Sequence, residues 1–184
     1  VVQEQVPQSP NLMPNASFEQ AKADYPNGWS PQKKFHSIGP TYYIWTDWNH
    51  AFAPLRGGVK LDRLVTHSGE QSLRFDVYPG DEKYVESEAI VLNQAEPKVV
   101  EVGAFVRADK IHLIDVRAVD ENGLWLAAYR PRQPEYYKAN QGEGFLFGNG
   151  TFGWRYVRKF FYSAANRPIQ SLKVRLCARG ANGH

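Results

Sequence analysis

Apolar and polar positions alternate with a two-residue period along much of the chain. Leu73-Arg74-Phe75-Asp76-Val77-Tyr78 is the cleanest case, and such a pattern gives a strand one apolar and one polar face. Tyr84 to Leu92 reads as a second strand region. Val99 to Ala108 reads as another, with Val100, Val102, Ala104 and Val106 on one side. From His112 to Val119 the residues Leu113, Asp115, Arg117 and Val119 oppose Ile114, Val116 and Ala118. The Asp120-Glu121-Asn122-Gly123 turn then predicts a hairpin into Leu124–Tyr129. Trp154 to Ser163 and Ile169 to Ala178 complete the set. No long stretch repeats apolar residues at i, i+3, i+4 and i+7 without Gly, Pro or β-branched interruptions, and the best helix candidate is a short one at Glu19–Ala23. About eight strands joined by turns predict an all-β chain folded as a sandwich or a barrel.

Two stretches break the rhythm. Residues 31–60 contain Tyr42, Tyr43, Trp45, Asp47 and Trp48 between Pro31, Pro40, Pro54 and the Gly57-Gly58 pair. Residues 130–153 contain Arg130, Arg132, Tyr136 and Tyr137, followed by glycines at 142, 144, 148, 150 and 153. Both are expected to be long loops, and long loops inside a compact domain usually carry function. Residues 1–10 are polar with two prolines and read as an arm or linker, leaving residues 11–184 as one domain.

Composition sharpens this picture. Aromatics make up 14% of the 184 residues, which favours strands and supplies flat faces for ligands. A net charge of +3 is too mild for a nucleic-acid surface, which needs a concentrated basic face. No apolar run approaches the roughly 20 residues of a membrane-spanning helix. Cys177 is the only cysteine, so neither an internal disulfide nor a cysteine zinc set can form.

Three segments carry a family resemblance. Asn11-Leu12-Met13-Pro14-Asn15-Ala16-Ser17-Phe18-Glu19, followed by Gly28-Trp29, resembles the N-L-x-x-N-x-x-F-E opening of galactose-binding-like jelly rolls. His67-Ser68-Gly69-Glu70-Gln71-Ser72-Leu73 resembles their H-S-G-x-x-S-L segment, and Gly150-Thr151-Phe152-Gly153-Trp154 their late G-T-x-x-W strand. The chain is thus similar to carbohydrate-binding modules of families four, nine and twenty-two. The resemblance implies a jelly-roll β-sandwich that binds polysaccharide without catalysis. It also implies a secreted, cell-surface or periplasmic setting, bacterial in origin, beside a catalytic domain of a glycoside hydrolase or polysaccharide lyase. It implies a structural calcium as well, with Glu19 giving a carboxylate and the backbone around Ser68 and Gln71 giving carbonyls, the hard oxygens that calcium takes. One departure stands out: these modules close with an acidic D-D-V strand, and here the chain stops at Arg179-Gly180-Ala181-Asn182-Gly183-His184, where that strand should begin. A missing closing strand would leave an unpaired edge.

Sugar recognition needs aromatic faces for the C–H surface of a pyranose and planar polar groups for its hydroxyls. Tyr42, Tyr43, Trp45 and Trp48, with Asp47 among them, form the first candidate site. Tyr129, Arg130, Arg132 and Tyr136 form the second, where guanidinium forks could also hold a carboxylate or sulfate. Trp29 and Trp154 sit in the family landmarks and are assigned to the core, as is Trp125 on its strand. Two other readings stand beside this one. The first is an accessory domain that packs on a catalytic neighbour. The second is a lyase using residues such as Tyr129, Tyr136, His50, His112 and Arg132, or a hydrolase with two facing carboxylates.

Overall fold

The computed structural model describes residues 10–22, 25–31, 34–38, 41–45, 57–77, 82–129 and 148–180. They form an all-β, antiparallel fold. None of them is helical, so no helix among them is long and apolar enough to cross a membrane. The short helix expected at Glu19–Ala23 is instead a two-residue strand, β1 (Ala21–Lys22), paired with β2 (Tyr25–Pro26). Asn15 enforces this: its Nδ2 donates to the carbonyls of Gln20 and Asn27, and its Oδ1 accepts from Gln20 N–H.

The main sheet has the order β11 (Ala127–Tyr129), β12 (Gly148–Tyr162), β10 (Val100–Asp120), β13 (Ser171–Gly180), β8 (Glu82–Ser87), β3 (Trp29–Pro31), with β9 (Ile90–Val91) also on β13. Two hairpins accompany it: β4 (Lys34–Ile38) with β5 (Thr41–Trp45), and β6 (Gly57–Asp62) with β7 (Ser72–Val77). The stretch 31–60 is therefore not one long loop, since Tyr42, Tyr43 and Trp45 are strand positions in β5.

The segments Val99–Ala108 and His112–Val119 are a single strand. β10 runs 21 residues, about 70 Å if straight at the usual rise, yet Val102 near its start and Val116 near its end share one core cluster. The bend lies where the pairing with β12 slips, between Val106 and Ile114. There Lys110 takes a left-handed φ of 50°, and Thr151 clamps the kink: Lys110 N–H donates to Thr151 Oγ1, and that hydroxyl donates to Asp109. β11 also departs from the expected hairpin. The Asp120–Gly123 turn forms, with Trp125 bridging Val119, but the chain then crosses to pair with β12. β13 is paired on both sides, by β10 and β8, as far as Arg179.

One core cluster gathers Val102, Val116, Ala118, Val157, Phe161, Leu172 and Val174. A second holds Trp29, Val59 and Val85, with Leu73 and Phe75 of β7 packed against it, so the β6–β7 hairpin covers the β3–β8 end of the sheet. Each fully buried large side chain here contributes roughly 1.5–3 kcal/mol. Trp29, 7% exposed, is core as expected.

Candidate functional site

The strongest concentration of ligand-competent groups lies where β10 and β12 run side by side. Their register sets Glu101 opposite Phe160, Gly103 opposite Arg158 and Phe105 opposite Tyr156. Gly103 leaves space that the tyrosine fills: a Cβ there would lie 2.0 Å from Tyr156 Oη and 2.5 Å from its Cζ. Tyr156 Oη donates to Glu101 Oε1 at 3.4 Å, and Arg158 sits 3.8 Å from the same carboxylate. Burial first, and the Glu101 charge second, push the phenol above its ordinary value, so at neutral pH Tyr156 is a neutral hydrogen-bond donor.

His67 reaches this strip from the β6–β7 connection. Its ring stacks on Phe105 with centroids 3.8 Å apart and planes 12° apart, and meets Trp154 edge-on at 5.5 Å. Phe105 and Tyr156 are 5.1 Å apart. These aromatic rings, with Gly103, Glu101 and Arg158, line an open cleft. Trp154 is thus half-buried in the cleft wall rather than sealed in the core. The strip offers ring faces for apolar C–H surface, a neutral phenol donor, an acceptor carboxylate and a donor guanidinium.

No family model, no curated protein and no solved structure matches this chain. The chemistry of the site therefore rests on its own geometry.

Of the residues expected to contact ligand, Tyr42, Tyr43 and Trp45 are placed as backbone positions of β5, and Tyr129 pairs with Phe160 at the end of β11. Asp47, Trp48, Arg130, Arg132 and Tyr136 lie outside the described residues. Glu19 meets Gln71 at the turn that follows Ser68. Glu19 Oε1 accepts the N–H groups of Glu70 at 3.0 Å and Gln71 at 3.3 Å, and Gln71 Nε2 donates to Phe18 O at 2.7 Å. Gly69 between them has φ +69°, and a Cβ there would collide with Glu19 Oε1 at 2.2 Å, so the turn must carry glycine. Among the described residues no group of three His, Cys, Asp or Glu could hold a metal.

Two described carboxylates, Asp62 and Asp76, share one cationic partner. Arg74 bridges Asp62 and Asp76, at 3.2 and 2.7 Å, and Lys60 adds a contact to Asp76 at 2.9 Å. Asp62 is held below its ordinary value, first by the Leu64 N–H bond, which with Val65 and Arg74 outweighs burial. Burial pushes Asp76 up, but hydrogen bonds from Lys60 and Arg74 together bring it below the ordinary value. A glycosidase needs one carboxyl raised so that it can deliver a proton. Here both carboxyls are lowered, and their ion pairs with Arg74 and Lys60 tie β6 to β7.

The cleft residues Phe105, Tyr156, Glu101 and Arg158 were not among the sequence candidates. Their only signal is strand alternation, shared with any half-buried sheet. Trp125, assigned to the core from its strand position, is instead 52% exposed, because the turn before it delivers it outward.

Proposed function

We propose that this chain is a non-catalytic carbohydrate-binding domain of jelly-roll type, from a secreted polysaccharide-degrading enzyme, and that polysaccharide lies along the β10–β12 cleft. The observation that carries this reading is the set of half-buried rings of Phe105, Trp154 and Tyr156 beside the Glu101–Arg158 pair. A pyranose stacked on one ring removes about 50 Å² of apolar surface and gains roughly 1 kcal/mol. Several such contacts, less ordering costs, give micromolar to millimolar affinity, which suits a domain that keeps an enzyme on a polymer. Tyr42, Tyr43, Trp45, Asp47, Trp48, Tyr129, Arg130, Arg132 and Tyr136 remain candidate contacts within the same proposal.

A structural calcium at the Glu19 turn belongs to the same reading. In it Glu19 would give a carboxylate and the backbone around Ser68 and Gln71 carbonyls, the hard oxygens calcium takes, and the ion would compete with the two amides that engage Glu19 Oε1. A rise in melting midpoint on adding calcium, lost in Glu19→Gln, supports the ion; equal midpoints with calcium and with chelator exclude it.

Affinity electrophoresis against a panel of soluble polysaccharides tests the main reading. Retardation by at least one polymer, lost in Trp154→Ala and tested in parallel with Trp45→Ala and Trp48→Ala, is the expected result. Unchanged mobility with every polymer would instead favour an accessory domain packed on a catalytic neighbour. Release of reducing ends or of unsaturated uronate would make the chain an enzyme.

A further inference from the structure

A second aromatic surface lies outside the cleft, at the turn that ends β10. Asp120 Oδ1 accepts the N–H groups of Asn122 at 2.9 Å and Leu124 at 2.8 Å, Asp120 N–H donates to Leu124 O, and Gly123 supplies a φ of +76°. Past the turn, Leu126 N–H donates to Ala118 O, so the residue between is pinned on both sides. That residue is Trp125, and with Leu124 it is 52% exposed. One side of its ring rests on Arg175, whose Cζ lies 4.7 Å from the ring centroid. Arg175 is itself held by Glu86, which also binds Lys173 at 3.4 Å.

A lone exposed apolar side chain is ordinary on a protein surface. This one differs in three ways. Its backbone is fixed by the turn, its inner face is occupied by a cation held in place, and Lys173 with a side chain 47% exposed belongs to the same ion-pair group. A rigid indole with one free face and hydrogen-bonding groups close by loses little freedom on binding, which is the advantage of preorganisation.

Resting on the carbohydrate reading of the cleft, we propose that Trp125 is a separate sugar-stacking platform, which takes one pyranose ring of the same polymer on its free face. Two contacts on one polymer raise retention through effective concentration, whereas an oligosaccharide too short to span both gains nothing from the second.

The test uses the panel polysaccharide that retards the wild-type chain, together with its disaccharide, which is too short to reach both sites, and calorimetric dissociation constants for each. Trp125→Ala is expected to weaken polysaccharide binding about five- to ten-fold, the effect of losing one stacked ring, and to leave disaccharide binding within about two-fold. Trp125→Phe should keep most of the polysaccharide affinity, and unchanged near-ultraviolet dichroism would establish that the variants fold. Trp154→Ala should weaken both ligands. Polysaccharide binding by Trp125→Ala equal to wild type overturns the platform while leaving the cleft intact. Equal loss on both ligands also overturns it, because Trp125 would then belong to the cleft. Loss of self-association in Trp125→Ala, seen by sedimentation, with binding unchanged, makes the surface a protein contact and overturns it too. A wild-type chain that binds no polysaccharide refutes the cleft reading and this inference together.

Discussion

Lys159 links two distant parts of the sheet, and removing its charge is the sharpest perturbation this fold offers. It lies on β12 opposite Val102, in the first half of β10, yet its Nζ donates to Asp115 Oδ1 at 2.8 Å and to Val116 O at 3.1 Å in the second half. Both side chains are nearly enclosed, at 9% and 10% exposed. Lys159→Met keeps most of the stem volume and deletes the ammonium. Asp115 then keeps Arg117 Nε at 3.8 Å as an ionic neighbour, too far for a strong hydrogen bond, and Val116 O loses this donor. Breaking a buried pair from one side costs about 3–5 kcal/mol, and the residual Arg117 contact places this case near about 3. Against a total stability of about 5–15 kcal/mol that is a large share. With a urea slope near about 2 kcal/mol/M, the unfolding midpoint should fall by about 1.5 M. Replacing both partners, in Lys159→Met with Asp115→Leu, should recover most of the loss, because matched apolar side chains need no compensating charge. Urea unfolding of the four proteins of this double-mutant cycle measures the coupling directly. A single-variant loss under about 1 kcal/mol, or a double variant no better than the sum of the singles, would refute the view that this pair holds the bent strand together.

Three further outcomes follow from the same geometry. The pKa of Asp62 is lower in the folded chain than in the unfolded one, so its contribution is complete above about pH 4, the unfolded value, and is lost as pH falls through the folded value. Asp76 is lowered too and acts in the same direction. Urea unfolding from pH 7 down to pH 2.5 should show this loss, with a flatter profile for Asp62→Asn; parallel profiles would show that the tie between β6 and β7 adds nothing. Gly69→Ala adds both a strained φ and a clash with Glu19 Oε1, and should cost about 2–4 kcal/mol by thermal unfolding. The same change on a Glu19→Ala background should cost clearly less, and equal costs would mean that Glu19 does not clamp the turn. Gly103→Ala must push the Tyr156 ring aside, so it should weaken retention on the binding polysaccharide while moving the melting midpoint by only a few degrees. Retained affinity would remove Tyr156 from the contact surface.

The strands were legible because alternation is a local property: the runs from Leu73, Tyr84, Trp154 and Ile169 all fall within or across the strands observed there. Alternation fails where pairing is decided at long range. Asp109-Lys110 falls in the gap between the two alternating runs, where polar residues interrupt the pattern. Only the β12 register, with Thr151 holding Lys110 N–H, makes it a kink in one strand. The Asn122-Gly123 turn was equally legible, but which strand receives β11 depends on β12, more than 20 residues further along the chain. Residues 34–45 read as a loop because Pro and Gly bracket them, although five register pairs form between those brackets.

The three segments that carry the resemblance were legible for a structural reason. Asn15 ties the β1–β2 turn, Gly69 admits the Glu19 carboxylate, and Thr151 fixes the bulge in β10, so each is a joint of the scaffold rather than a part of the aromatic strip. A motif built from joints specifies where strands turn and stays silent about what lies between them. The cleft groups Phe105, Tyr156, Glu101 and Arg158 are side chains on the intervening strands, and they can change without disturbing a joint. His67 is the exception that connects the two levels. It opens the H-S-G landmark, and the turn locked by Glu19 delivers its ring onto Phe105. The clamp at Glu19 and the aromatic strip are therefore mechanically linked, and loosening the first should free His67 to leave the second.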